Sequence, residues 1–207
     1  MARGKRSGSR GKKRVTLKSL SREGLRLDEL EAWGKEVSGG TDMACALVIA
    51  AHIDHTLRAV ILAYLKPLAK DEQEALFESL GAPLTGLHSR ILMTAAIAGL
   101  DKPYVEILQS IRRIRNEFAH APRSVDFSNP LISDEVEKVI APRMPTPMDG
   151  VASRAVFVAA SLVTLLRLYN LAIEGMRKRP PQPSDDTLWG MITEIGNRLP
   201  DEPDTSQ

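Results

Sequence analysis

Arg115-Asn116-Glu117-Phe118-Ala119-His120 brings a guanidinium, a carboxamide and an imidazole together just ahead of Pro122. An arginine fork suits an anionic phosphorane, because it meets charged oxygens two at a time. A histidine near its ordinary pKa of about 6.5 serves as base and then as acid within one turnover. Metal-independent cleavage of RNA, with the neighbouring 2′-OH as nucleophile, needs that pair correctly placed. The same groups suit a helical regulator that catalyses nothing. Arg115 then makes an ion pair, Asn116 caps neighbouring backbone, and His120 closes a helix C-terminus, where the dipole favours its charged form. On a helix Asn116 and His120, four apart, share a face. Arg115 sits one step round, beside Ile111, Ile114 and Phe118.

Other polar groups offer less. His52 and His55 are spaced to chelate, with Asp54 between them, but zinc needs a third protein ligand and the sequence places none. No metal and no cofactor is expected. Cys45 is the single cysteine, which excludes an intramolecular disulfide and a cysteine zinc site. Lying among Met43, Ala44, Ala46 and Leu47, it reads as a buried thiol. Arg112, Arg113 and Arg115 form a small basic patch that either meets phosphates or pairs with Glu106, Glu117 or a neighbouring helix.

The elements that must position these groups read as helices throughout. The 207 residues suffice for one domain with a core, and 43% hydrophobic with only 4% aromatic content means that Leu, Ile, Val and Ala fill it. Leu27, Leu30, Trp33 and Val37 mark a short helix ended by Gly39-Gly40. Thr41 or Asp42 then caps a long helix to about Leu65, along Leu47, Ala50, Asp54, Leu57, Ile61 and Leu65. Asp71 is expected to cap a short helix through Phe77, and another helix runs from about Gly86 to Ala98, closed by Gly99. Asp101 and Pro103 stand where a cap and an N1 proline belong. Tyr104, Ile107, Ile111, Ile114 and Phe118 follow as a narrow seam that Pro122 stops. A short helix is expected over Ser133–Ile140, and a long one from about Asp149 to Arg177 with a seam at Ala155, Val158, Leu162, Leu165, Tyr169 and Ile173. Arg179-Pro180-Pro181-Gln182-Pro183 reads as a stiff link to a last helical segment at Leu188, Trp189, Ile192 and Ile195.

Charge is distributed unevenly. Residues 1–20 carry eight basic groups and no acidic one; removing those eight from the 28 basic residues leaves 20 against 26 acidic ones, a net of −6. The body is therefore acidic and the basic character belongs to a Gly/Ser/Lys/Arg tail, expected to be disordered. Arg3, Lys5, Arg6, Arg10, Lys12, Lys13 and Arg14 would give weak, salt-sensitive and sequence-blind nucleic-acid binding. The plainer reading is a solubilising extension. The basic start is not followed by an apolar signal core. Met43–Leu65 and Ala155–Ile173 approach membrane-spanning length, but His52, Asp54, His55 and Arg58 interrupt the first, and Arg167 and Asn170 the second. A cytoplasmic protein with no membrane span is expected.

Three separated motifs, in order, resemble the mannitol repressor family over roughly residues 40–175. They are Cys45-Ala46-Leu47-Val48-Ile49-Ala50-Ala51-His52-Ile53-Asp54; Pro83-Leu84-Thr85-Gly86-Leu87-His88-Ser89-Arg90-Ile91 with Ala95-Ala96-Ile97-Ala98-Gly99-Leu100; and Ile111-Arg112-Arg113-Ile114-Arg115-Asn116-Glu117-Phe118-Ala119-His120. The chain departs from that pattern at Met93–Ile97, which replaces a Tyr-containing segment, and at Leu87-His88, which replaces an aromatic position. The resemblance implies an all-helical transcriptional regulator that acts through protein partners and has no DNA-reading motif of its own. The Arg-x4-His run also resembles the wider HEPN group of helical domains, some of which are dimeric ribonucleases whose motifs converge across the subunit interface. Carried over by position, that resemblance implies a site of Arg115, Asn116 and His120, with Asp54 as a polar supporter from the long helix before it.

The sequence thus reads as an all-α, HEPN-like helical bundle over 21–178, with a basic tail over 1–20 and a Pro-rich link and tail over 179–207. Its expected function is that of a mannitol repressor-like regulator, working as a homodimer with a regulatory protein partner. The alternative is a HEPN-type ribonuclease using Arg115 and His120.

Overall fold

In the computed structural model the described residues are 30–122 and 124–178, and every regular element among them is helical. These elements are α1 (Leu30–Gly39), α2 (Asp42–Tyr64), α3 (Lys70–Phe77), α4 (Leu87–Ala98), α5 (Lys102–His120), α6 (Pro130–Glu135) and α7 (Ser153–Lys178). The protein is an all-α helical bundle, as its sequence pattern requires. The basic tail, including Arg3, Lys5, Arg6, Arg10, Lys12, Lys13 and Arg14, lies outside the described residues, as do the Pro-rich link and the segment around Trp189.

α2 is the axis. Thr41 caps it as expected, its hydroxyl accepting the Ala44 N–H at 3.2 Å. It packs against α4, α5 and α7, so it is apolar around most of its circumference. Ile49, Ile53, Leu57 and Val60 meet Ile107, Leu108, Ile111, Ile114 and Phe118 of α5 and Phe157, Leu165 and Leu168 of α7 in one core. The few aromatics gather there, with Phe127 5.2 Å from Phe118 and 5.0 Å from Phe157 between ring centroids. α2 and α7 approach closely at Gly175, where a Cβ would lie 2.6 Å from the Tyr64 ring and 3.0 Å from the Ala63 methyl. At the other end Arg154 donates to Asp42 at 2.9 Å and to the carbonyls of Val37 and Gly40 at 3.0 and 2.6 Å. The other Asp42 oxygen accepts the Phe127 N–H at 2.8 Å. One arginine–carboxylate pair thereby ties the α1–α2 turn to α7 and to the loop after α5. Cys45 is buried beside it, and burial raises its thiol pKa against the pull of Arg154.

Several boundaries depart from the sequence expectation. α3 begins at Lys70, and Glu72 rather than Asp71 satisfies its start by accepting the Ala69 N–H at 2.7 Å. Asp101 precedes α5, but its carboxylate turns to Arg167 at 3.4 Å instead of capping, and Pro103 is the second helical residue. The helix expected over Ser133–Ile140 starts earlier, because Asn129 caps Pro130–Glu135 by accepting the Leu131 N–H at 3.0 Å. It then widens into a π turn (Val136–Ile140) and a 3₁₀ turn (Ala141–Arg143). The α7 seam lies one step round from the expected one. Val156, Phe157, Ala160, Ser161, Thr164, Leu165, Leu168, Leu171, Ala172 and Gly175 are buried, whereas Ala155 and Ile173 are exposed. α2 and α7 are each long and apolar enough to cross a membrane by length and composition; half of each apolar stretch is buried within the bundle, as in core helices.

Candidate functional site

Beside its buried face α2 carries the half-buried polar residues Asp54, His55 and Arg58. Opposite them, the α3–α4 loop turns back at Gly81 (φ 79°), and Gly86 stands at the N-cap of α4. α5 brings Arg112, Arg115 and Asn116 to the third side, on the flank of its buried seam. Together these elements enclose a cleft of about 790 Å³, also lined by Leu47, Ala51, Leu87 and His88.

Behind its arginines lies a satellite core of Ile61, Phe77 and Leu84, none of which lines the cleft. Arg58 and Arg90 lie 4.9 and 5.5 Å from the Phe77 ring centroid. Arg90 is only 8% exposed. It donates through Nε to the Leu84 carbonyl at 2.8 Å and through Nη1 to Asp54 Oδ2. Arg58 pairs with Glu78 at 3.5 Å and donates to Gln73 at 3.4 Å. Both are thus committed to carboxylates. Arg112 and Arg115 are not: among the described residues they donate to the side-chain amide oxygens of Gln109 at 3.1 Å and Asn116 at 3.0 Å. Gln109 Oε1 also lies 3.1 Å from His88 Nδ1.

The electrostatics follow from this geometry. Burial raises the Asp54 pKa, while Arg90, Arg115 and His55 pull it down. Its second oxygen, Oδ1, is buried with no hydrogen-bond partner among the described residues. Burial, then the nearby Arg58, lowers the His55 pKa, with Asp54 opposing. The ring is therefore neutral near pH 7, a neutral donor or acceptor among cations.

The structure brings together some of the residues the sequence singled out and separates others. Arg115, Asn116 and Asp54 line the same cleft. His120, at the end of α5, is exposed and does not line it. Arg115 is exposed too, and among the described residues it donates to Asn116 rather than to a carboxylate. The basic patch divides: Arg113 turns away to Glu135 at 3.0 Å and Ser110 at 2.9 Å. His52 and His55 also part, His52 packing edge-on against Trp33 at 5.2 Å between ring centroids while His55 enters the cleft. Among the described residues no group of three metal-ligating side chains gathers.

Sequence reasoning passed over Arg58 and Arg90. The signal was present: Asp54 in the apolar run of α2 and Arg90 in that of α4 each need an opposite charge when buried. No protein-family model matches the chain, and no curated protein or solved structure matches it.

Proposed function

We propose that the protein is a mannitol repressor-like transcriptional regulator that acts through protein partners, as a cytoplasmic homodimer, without a DNA-reading motif of its own. The observation that carries the partner-binding part is the outer face of α7. Leu166, Ile173 and Met176 are 51%, 37% and 59% exposed along one side of a helix whose other side is core. Side chains of that size spaced along a solvent face suit a protein partner. Within one chain, moreover, the motif offers no preorganised acid–base pair, since His120 lies outside the cleft that Arg115 lines.

The test combines assembly with regulation. Wild type should scatter light as a dimer at micromolar concentration, and Leu166→Asp with Ile173→Asp should give a folded monomer. In cells lacking the gene, wild type should restore an altered transcript profile and the double variant should not. A wild-type monomer, or transcripts indifferent to the protein, contradicts the reading.

A second reading is supported by one observation: Arg115 and His120 are both exposed, which suits reacting groups better than structural ones. A HEPN-type ribonuclease would then need a second copy to bring its His120 to this cleft. The second copy's His120 would take the 2′-OH proton as that oxygen attacks phosphorus, and Arg115 would hold the phosphorane. The P–O5′ bond would break with water protonating the 5′ oxygen, leaving a 2′,3′-cyclic phosphate.

A further inference from the structure

We propose that the α2–α4–α5 cleft binds a small phosphomonoester whose organic part is non-aromatic, such as a sugar phosphate. Three observations define the ligand. The first is charge. Four arginines and two carboxylates line the cleft, and the pairs Arg90–Asp54 and Arg58–Glu78 cancel. What remains is Arg112 and Arg115, two cations one helical turn apart with only amide oxygens as acceptors among the described residues. That excess matches a phosphomonoester, which carries up to two negative charges at neutral pH.

The second observation is direction. Arg112 and Arg115 approach from α5, His88 from α4 and His55 from α2. A planar carboxylate is satisfied by one arginine fork. Donors from α5 and α2 suit a tetrahedral group with oxygens on several sides, while His88 spends its Nδ1–H on Gln109 Oε1. The third is size and wall chemistry. A cavity of about 790 Å³ falls in the range of sites for small organic ligands, so an inorganic ion would leave most of it to water. Leu47, Ala51 and Leu87 form its apolar wall, and among the described residues no Phe, Tyr or Trp lines it. A nucleobase or single-stranded RNA would find no stacking platform.

The site lies apart from the α7 face, so a ligand here would add small-molecule control to a partner-binding protein. Its failure would leave the dimer and transcript tests untouched.

The experiment is calorimetric titration of the full chain at moderate salt with ribose 5-phosphate, glucose 6-phosphate and glycerol 3-phosphate. Ribose, inorganic phosphate and adenosine monophosphate serve as comparators. At least one of the three phosphate esters should bind at least tenfold more tightly than inorganic phosphate. Its dephosphorylated form should show no binding, and adenosine monophosphate should gain nothing over ribose 5-phosphate. The variant Arg112→Ala with Arg115→Ala should lose at least tenfold in affinity while its CD spectrum stays native. Arg113→Ala, on the same helix but facing Glu135, should bind as wild type does. The basic tail is present in every variant, so a loss confined to the double variant reports on the cleft. Absence of binding by all three esters, affinity equal to that of inorganic phosphate, tighter binding of the nucleotide, or full affinity in the folded double variant would each overturn the proposal.

Discussion

Replacing Arg90 with Met keeps an unbranched side chain of similar length but removes the charge and every donor. The structure says what is lost. Arg90 is 8% exposed and holds the Leu84 carbonyl at 2.8 Å, the Asp54 carboxylate and the face of Phe77. Removing one partner of a fully buried ion pair costs about 3–5 kcal/mol. The Asp54 side chain is 35% exposed, so solvent offsets part of that. Adding the orphaned carbonyl, the expected loss is about 3 kcal/mol at pH 7. For a domain of this size such a loss lowers Tm by roughly 6–12 °C. The assay is thermal unfolding followed by CD. Asp54→Asn in the same background should recover part of the loss, because the uncompensated charge is then gone. The deficit should also shrink on acidification, as Asp54, whose pKa burial already raises, takes up a proton. An Arg90→Met protein melting with wild type at pH 7 would refute the claim that this pair organises the cleft. So would a deficit unchanged by Asp54→Asn.

Arg115→Ala and His120→Ala should each shift stability by no more than about 0.5 kcal/mol, since both side chains are exposed; a large loss of Tm would return them to a structural role. Gly175→Ala should destabilise by about 1–3 kcal/mol, because the added methyl meets Tyr64 and Ala63 where α2 and α7 touch; unchanged denaturant unfolding would contradict that close approach. Burial holds the His55 pKa below its usual 6.5. As pH falls through that value the unfolded chain takes up a proton that the folded one resists, so His55 should subtract stability on acidification. His55→Gln should flatten that part of the pH–stability curve, whereas an identical slope in the variant would count against the burial. Asp54 contributes with the opposite sign, and because the two groups act on each other, His55→Gln reports the imidazole together with that coupling.

The helices were legible because their boundaries are written in local chemistry. Thr41, Gly99 and Pro122 each stop or start an element for backbone reasons that need no tertiary context. The α5 seam was also legible, since Ile107, Ile111, Ile114 and Phe118 stand against charged neighbours and only one face can be buried. On α7 nearly every position is apolar or small, so the period fits several faces. Packing against α2 at Gly175 selected one that the pattern did not single out. The end of the α6 region was hidden for another reason. Its π and 3₁₀ turns follow from tertiary packing, which holds Val136 and Ile140 fully buried and turns Arg143 toward Glu106. At the site, the sequence pointed to Arg115, Asn116 and Asp54, which share the cleft. It could not show that His120 would point elsewhere. Nor did a charge at 58 or 90 reveal its partner, because Arg90 and Asp54 are 36 positions apart.

The most direct measurement is incubation of purified full-length protein with total RNA in EDTA, beside Arg115→Ala and His120→Ala. A regulator that works by binding leaves the RNA intact in all three samples over hours, at micromolar protein. Metal-independent cleavage by wild type that vanishes in both folded variants would contradict the account and make the protein a ribonuclease.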